Sequence, residues 1–387
     1  MKIKYFKNMD KVLLFITIIM SLYGLFNIVT ASSREAVTNL DKNIFYYFYR
    51  HLAIIGIGFF ASFIVIRIDM KKYHKLLPLV FIATICLNLW LVIKGSSTRG
   101  ANNWIDLGFF NLQPSELSKI VVILCLGFLF ENFYNSLRKK NIDHTKYIWI
   151  IIIIGLIFPF IVFLQKDLGT ATVLVCIFLS LYFTSPILKP EKYKALGIII
   201  LVVLIIGLII YSVKGYLLSD SQKSRFDFFN PCSNYADNGY QVCNAFIAIN
   251  DGGLMGVGIG KSTQKYSYIP EPHTDMVFAI ISEENGLLRC TLIFIAYIII
   301  LYRIIRISRI TDTIKNKYIC LGIAVFIFMH ILINLGGLFG LIPLTGVPLP
   351  FLSYGGSFTL TLLISLAIVE RIHIETYNKI NLEKIKN

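Results

Sequence analysis

Charge is what this chain has least of. Only 15% of its 387 residues are Asp, Glu, Lys or Arg, against roughly a quarter in ordinary soluble domains. With 56% of residues hydrophobic and a mean hydropathy of +0.71, the length that would give two or three soluble domains gives one polytopic bundle instead. No cleavable leader is expected, because the first apolar run, Val12 to Thr30, is long enough to span and no small-residue cleavage site clearly follows it. The six histidines are scattered and no Cys/His spacing fits a zinc site. There is no defensible internal repeat and no low-complexity tract. Acidic residues are the rarest charges, 22 against 37 basic ones. The resulting net charge of +15 would fit a nucleic-acid partner, but its distribution does not.

Ten apolar runs are long enough to cross a membrane, at roughly 12–30, 50–66, 76–93, 116–134, 147–165, 167–184, 195–213, 276–302, 318–341 and 353–370. With the N-terminus inside, 24 of the 37 basic residues fall on the inner side, 12 on the outer side, and Arg289 within a span. The excess is positive-inside topology, which places both termini in the cytoplasm. The expected fold is an all-α polytopic membrane protein of about ten transmembrane helices, one integral membrane domain over 1–387. It carries one long extracytoplasmic loop, 214–275. That loop far exceeds a usual connection, and its Phe226, Phe228, Phe229, Tyr235, Tyr240 and Phe246 predict that it packs. Residues 245–249, followed by Gly252 and Gly253, read as a short helix dipping into the interface. Cys232 and Cys243 lie in this loop on the oxidising side and are expected to form a disulfide. The other five cysteines fall in or at spans and read as small apolar residues.

The polar residues concentrate in three stretches. The first, Gly252 to Gly286, holds Glu271, Asp275, Glu283, Glu284, Lys261, Lys265 and His273. Pro270 and Pro272 prevent it from being one helix. A membrane helix begins at Met276, so Asp275 is open to two readings, a helix N-cap or a site carboxylate. Glu283 and Glu284 lie about 12 Å further along, where an unpaired charge costs ~2.5–3.5 kcal/mol or more; charges kept at that depth usually face a polar cavity. The second stretch runs from Arg99 through Trp104 to Pro114, Glu116 and Lys119. Pro114 opens a helix, and Glu116 and Lys119 at i, i+3 can pair. The third, Gly340 to Ser357, packs Pro343, Pro348 and Pro350 into eight residues. Such backbone at membrane depth must be buried in protein or line a cavity. The Gly258-Ile-Gly260-Lys261-Ser262 run is not a phosphate-binding loop: Met255 stands where its first glycine is required, and no strand precedes it.

The stretches RGANNWIDLGFFNLQPSELSK, QKDLGTA, GYQVCNAFIAINDGGLMGVGIGKSTQKYSYIPEPHTDMVFAIISEENGLL and INLGGLFGLIPLTGVPLPFLSYGGS resemble the shape, elongation, division and sporulation family, FtsW/RodA/SpoVE. The resemblance covers nearly the whole chain in the right order. It implies a ten-span peptidoglycan glycosyltransferase of the bacterial plasma membrane, with its active site outside. Such an enzyme polymerises lipid II onto a growing glycan-lipid beside a class B penicillin-binding protein. It also implies that Asp275 is catalytic and that Trp104, Glu116 and Lys119 are functionally important. The chain departs from the family pattern near Cys243-Asn244, at Arg289 and at His330.

The chemistry of the residues agrees. In transfer from a lipid pyrophosphate, a sugar hydroxyl attacks an anomeric carbon. A general base contributes about 10²–10⁴-fold, and the good leaving group calls for cations or a metal rather than an acid. Asp275 supplies the base, with His273 and Thr274 beside it. Arg99, Lys119, Arg225, Lys261 and Lys265 are the candidate phosphate partners. No protein-bound metal or other cofactor is identified, and a divalent cation assisting the pyrophosphate stays open. Two other classes remain: a lipid II flippase, which would also keep intramembrane Glu283 and Glu284 but predicts paired broken spans, and a non-catalytic scaffold for the penicillin-binding protein.

Overall fold

The computed structural model describes residues 8–38, 40–94, 96–98, 101–106, 108, 111–137, 144–214, 231–233, 239–266 and 269–386. The helices are α1 (Lys11–Thr38), α2 (Tyr46–Arg67), α3 (Met70–Lys94), α4 (Pro114–Leu137), α5 (His144–Leu164), α6 (Leu168–Thr184), α7 (Lys189–Lys214), α8 (Tyr240–Gly252), α9 (Val277–Ile310), α10 (Ile314–Leu338) and α11 (Gly356–Lys386). Each of the ten apolar runs falls on one helix, α1–α7 and α9–α11. Among the described residues, eight of these are long and apolar enough to cross a membrane, and α6 is shorter, with 17 residues.

The most buried helices are α4, α10 and α11, and the least are α2 and α3. The core is built by α4 packing on α10 and α5, and by α11 packing on α2. Phe60, Leu79, Ile93, Leu292 and Ile298 are among the large apolar residues left exposed. Toward lipid tails such surface carries no hydrophobic penalty. At the end of the bundle where α1 begins, and α9 and α11 finish, Asp10 accepts from Arg303 while its backbone N–H donates to Glu370. Nearby Arg371 bridges Asp69 and Glu375.

Between α3 and α4 the chain forms a small antiparallel sheet in the order β1-β2-β3 (β1 Ser96–Thr98, β2 Ala101–Asp106, β3 Asn111–Leu112). Ser96 pairs with Trp104, and Ile105 with Leu112. A six-residue strand packed beside α3 is too short for its period-two pattern to stand out in the sequence. Its effect is to project Trp104 from rigid backbone.

Residues 253–258, ahead of α9, are held to it by a backbone exchange. α9 is interrupted at Gly286 (φ 72°, ψ 174°), which breaks the ladder that would run from residues 287 and 288 back to 283 and 284. The N–H groups of Leu287 and Leu288 instead donate to the carbonyls of Gly253 and Leu254, at 2.9 and 3.2 Å. The carbonyls of Glu283 and Glu284 accept from Val257 and Gly258, at 2.9 and 3.1 Å. So close an approach requires glycine. A Cβ on Gly286 would lie 2.3 Å from the nitrogen of Gly256, and one on Gly256 2.3 Å from the Glu284 oxygen.

The side chains seal the exchange. Glu283 accepts from the Ser262 hydroxyl (2.5 Å), the Thr263 N–H (2.7 Å) and the Thr263 hydroxyl (2.9 Å). Glu284 pairs with Lys265 (3.2 Å), whose ammonium also donates to the Gly260 carbonyl (2.6 Å). The expectation that Glu283 and Glu284 face a polar cavity is therefore corrected: these buried carboxylates anchor a re-entrant segment. The expected short helix before it is α8, longer than the sequence predicted. Its first turn is tied to Cys232 through the disulfide with Cys243; the remaining five cysteines are free.

Two outcomes follow. Gly286→Ala lowers the thermal stability of the purified protein, with the positive φ alone costing about 1–3 kcal/mol, and speeds amide exchange at 253–258. Replacing both Cys232 and Cys243 by serine costs about 2–3 kcal/mol, while unreduced wild-type protein takes up no alkylating label at either residue in mass spectrometry.

Candidate active site

The ends of α1 and α2, the sheet, the first turn of α4, the α5–α6 turn and the loops 271–275 and 345–358 enclose a cavity of about 770 Å³. Asp275 lies on its wall, largely buried. The N-cap of α9 is Met276, so Asp275 stands one residue outside the capping position. Its backbone carbonyl accepts from Asn334 Nδ2 of α10 at 2.8 Å, and the same amide group donates to the Val347 carbonyl at 2.9 Å. One α10 side chain thus holds the aspartate and the facing loop together. The Thr274 hydroxyl, with one proton to donate, lies 3.1 Å from Asp275 Oδ1 and 2.8 Å from the Glu271 carbonyl oxygen. Gly346 (φ 69°) leaves its backbone bare beside the carboxylate: a Cβ there would stand 3.7 Å from Asp275 Oδ2.

Next to Asp275 is an aromatic cluster. The His273 ring lies 4.3 Å from that of Tyr47 and 5.4 Å from that of Tyr354. Glu35 Oε2 is 3.3 Å from His273 Nδ1, and the Tyr47 hydroxyl donates to Glu35 Oε1 at 3.3 Å. The Tyr354 N–H donates to the His273 carbonyl at 2.8 Å, binding the 271–275 loop to the loop before α11. Burial pushes the Tyr354 phenol up, so it stays protonated at neutral pH.

Opposite, Asp167 caps α6 by accepting from the Thr170 N–H (3.0 Å) and draws Asn103 (2.7 Å) and Gln113 (2.9 Å) onto its other oxygen. This joins the sheet, the start of α4 and the α5–α6 turn. Gln113 is also fixed to α11 through the Ser357 hydroxyl, which accepts its N–H at 2.7 Å. One turn into α4, Glu116 and Lys119 form an ion pair at 2.6 Å, with both side chains buried. Lys119 also reaches His330 Nε2 at 2.8 Å. Glu116 lines the cavity, and its Oε2 has no hydrogen-bond partner among the described residues.

Of the residues singled out in the sequence, Trp104, Glu116, His273, Thr274 and Asp275 line the cavity, and Lys119 pairs with Glu116 at its edge. Lys261 and Lys265 belong to the re-entrant segment and do not line it; Lys265 is engaged with Glu284 and Gly260. Arg99 and Arg225 lie outside the described residues. Among the described residues, the cations that line the cavity are instead Arg50, on the first turns of α2, and Lys166, in the turn between α5 and α6. Arg50 donates to the Gly108 carbonyl (3.1 Å) and the Tyr46 hydroxyl (2.8 Å). The backbone of Lys166 is left-handed (φ 65°), an uncommon setting for a non-glycine residue. In the sequence Lys166 stands in a three-residue polar turn, Gln165-Lys166-Asp167, between two apolar runs. Among the described residues, no three His, Cys, Asp or Glu side chains gather as a metal-binding group.

Residues 10–378 match the family model of the FtsW, RodA and SpoVE cell cycle proteins. The chain belongs to this family. It is 32% identical over 372 residues to the probable peptidoglycan glycosyltransferase FtsW of Wigglesworthia glossinidia brevipalpis, covering 95% of this chain and 93% of that protein. It is 32% identical over 377 residues to stage V sporulation protein E of Bacillus subtilis strain 168, covering 96% and 98%. Among solved structures, it superposes with a TM-score of 0.73 and 22% identity on a chain described under "Structural coordination of polymerization and crosslinking by a peptidoglycan synthase complex", covering 95% and 98%. The rod shape determining protein RodA of Thermus thermophilus gives a TM-score of 0.67 at 21% identity, with the same coverage. This family member is a multi-pass membrane protein with the RodA-like helical fold.

The buried pair sets a stability test. Lys119→Met leaves Glu116 buried without its cation and costs about 3–5 kcal/mol. Adding Glu116→Gln recovers most of that loss. Thermal unfolding of the three variants in detergent measures both.

Proposed function

We propose that the protein is a peptidoglycan glycosyltransferase that polymerises lipid II, with Asp275 as general base. The observation that carries this reading is the composition of the cavity: a backbone-clamped carboxylate beside aromatic faces that suit a sugar, with Arg50 and Lys166 lining the same cavity. In the proposed step, the hydroxyl oxygen of one sugar forms a bond to the anomeric carbon of the other. The bond from that carbon to the pyrophosphate oxygen breaks. Asp275 takes the hydroxyl proton, and the electron pair leaves on the pyrophosphate. The leaving charge is met by Arg50 and Lys166; a divalent cation arriving with the pyrophosphate would serve the same end, and no other cofactor enters the step.

The excess of Lys and Arg at the opposite end of the helices supports cytoplasmic termini and a cavity facing outward from the plasma membrane. A class B penicillin-binding protein is the partner this reading implies, in keeping with the synthase complex whose fold the chain shares. Glu283 and Glu284, which gave the flippase its best ground, are tied into the re-entrant segment. No observation favours that alternative or the scaffold.

Asp275→Asn preserves size and leaves the backbone clamp through Asn334 in place, so folding changes by no more than about 1 kcal/mol. Polymerisation of purified lipid II falls by ~10²-fold or more. A well-folded variant with near-normal polymerisation would falsify the base assignment. The charge-swapped pair Glu116→Lys with Lys119→Glu is expected to stay inactive, because it sets a carboxylate against the bare nitrogen of His330. Full recovery of polymerisation by the swap would reduce the pair to a structural role.

A further inference from the structure

His330 has no part in the proposed bond-making, yet it is fully buried on α10 with both ring nitrogens engaged. Nδ1 lies 3.0 Å from the carbonyl oxygen of Pro348, which can only accept, so Nδ1 carries the proton. Nε2 lies 2.8 Å from the Lys119 ammonium, which can only donate, so Nε2 is bare. The ring is therefore neutral, with its tautomer fixed from both sides. It stacks on Phe358 at 4.4 Å and 17°, and meets Phe326 edge-on at 4.9 Å. Pro348 and Phe358 both line the cavity. One helical turn further, Asn334 ties the Asp275 and Val347 carbonyls. Two successive side chains of one α10 face thus grip the loop that faces Asp275.

We propose that His330 is a positioning residue for the glycosyl transfer, an inference that rests on the function proposed above. The ring gives the Lys119 ammonium a second acceptor, so the cation is aimed between Glu116 and His330 rather than turning on its flexible stem. Glu116 is then held with Oε2 free for the cavity. Through Nδ1–H the same ring fixes the Pro348 carbonyl, which keeps the wall opposite Asp275 in register with the ion pair. Glutamine carries a donor and an acceptor on one planar group and can make both bonds, with its amide N–H to Pro348 and its amide oxygen to Lys119. Leucine fills similar volume and makes neither.

The test compares wild type, His330→Gln and His330→Leu for thermal stability, lipid II polymerisation kinetics and rate–pH profile. Nitrogen-15 NMR of histidine-labelled protein accompanies it, with His330→Gln used to assign the signal. His330→Gln is expected to keep kcat within about threefold of wild type and an unchanged pH profile, since a ring held neutral adds no titration. Folded His330→Leu is expected to lose about tenfold or more in kcat with little change in KM, as misplacement of a site does. Near-normal kcat in His330→Leu overturns the proposal, and so does loss of kcat in folded His330→Gln. A pH limb that vanishes in His330→Gln makes the ring a proton carrier and overturns it as well. If His330→Leu is not recovered folded, His330→Gln alone decides by the same criteria. The NMR spectrum is independent of activity: a neutral ring protonated at Nδ1 supports the assignment, and one protonated at Nε2, or at both nitrogens, overturns it. Absence of polymerisation by wild type would instead count against the proposed function, leaving the tautomer to judge His330.

Discussion

Inside a bilayer no water is present to satisfy a free backbone N–H or carbonyl, and the non-helical parts of this protein are organised by that constraint. α9 gives up two hydrogen bonds at Gly286 and receives four from residues 253, 254, 257 and 258. Three glycines make the approach sterically feasible, with Gly252 joining Gly256 and Gly286. The proline-rich loop before α11 is handled in the same way, with Asn334 and His330 supplying partners for the carbonyls of Val347 and Pro348. The cavity exists because these irregular segments are pinned. Both loops that carry its chemistry hang from α10 side chains or from the broken start of α9.

The helices were legible in the sequence because each needs a long apolar run, and nothing else of that length is present. Trp104, Glu116 and Asp275 were singled out by the family resemblance, with His273 and Thr274 as neighbours of Asp275. The residues alone left Asp275 open between a helix cap and a site and made Glu116 half of an ion pair. The rule that charge kept beside an apolar run faces a polar cavity pointed only to the stretch that holds Asp275. Glu283 and Glu284 show where that rule misleads. Their charges are kept for a structural purpose, and the hydroxyl and amide partners that reveal it, Ser262 and Thr263, lie some twenty residues away. Lys265 was a phosphate candidate by proximity in sequence to Asp275, but folding delivers its charge to Glu284. Arg50 and Lys166 escaped notice because each stands alone in its own segment. Only the tertiary fold brings them to Asp275.

Among the described residues, more acidic than basic side chains line the cavity. Glu35, Asp106, Glu116, Asp167, Glu271 and Asp275 line it, against Arg50 and Lys166. Several of these carboxylates are engaged: Asp167 by two amides, Glu116 by Lys119, Glu35 by Tyr47. Their charge is thereby spread over fixed dipoles, and a sugar with many hydroxyl donors finds many acceptors. Among the described residues, Arg50 and Lys166 are the cations that face these acceptors.

The exchange at Gly286 also limits how the chain can change in length. Residues 253–258 bond to 283–288, and residues 262–264 return to the Glu283 side chain, so the segment closes a ring on its own helix. An inserted or deleted residue within 253–264 would put at least one set of these bonds out of step. Within that stretch the number of residues, and not only their identity, is set by the geometry of the exchange.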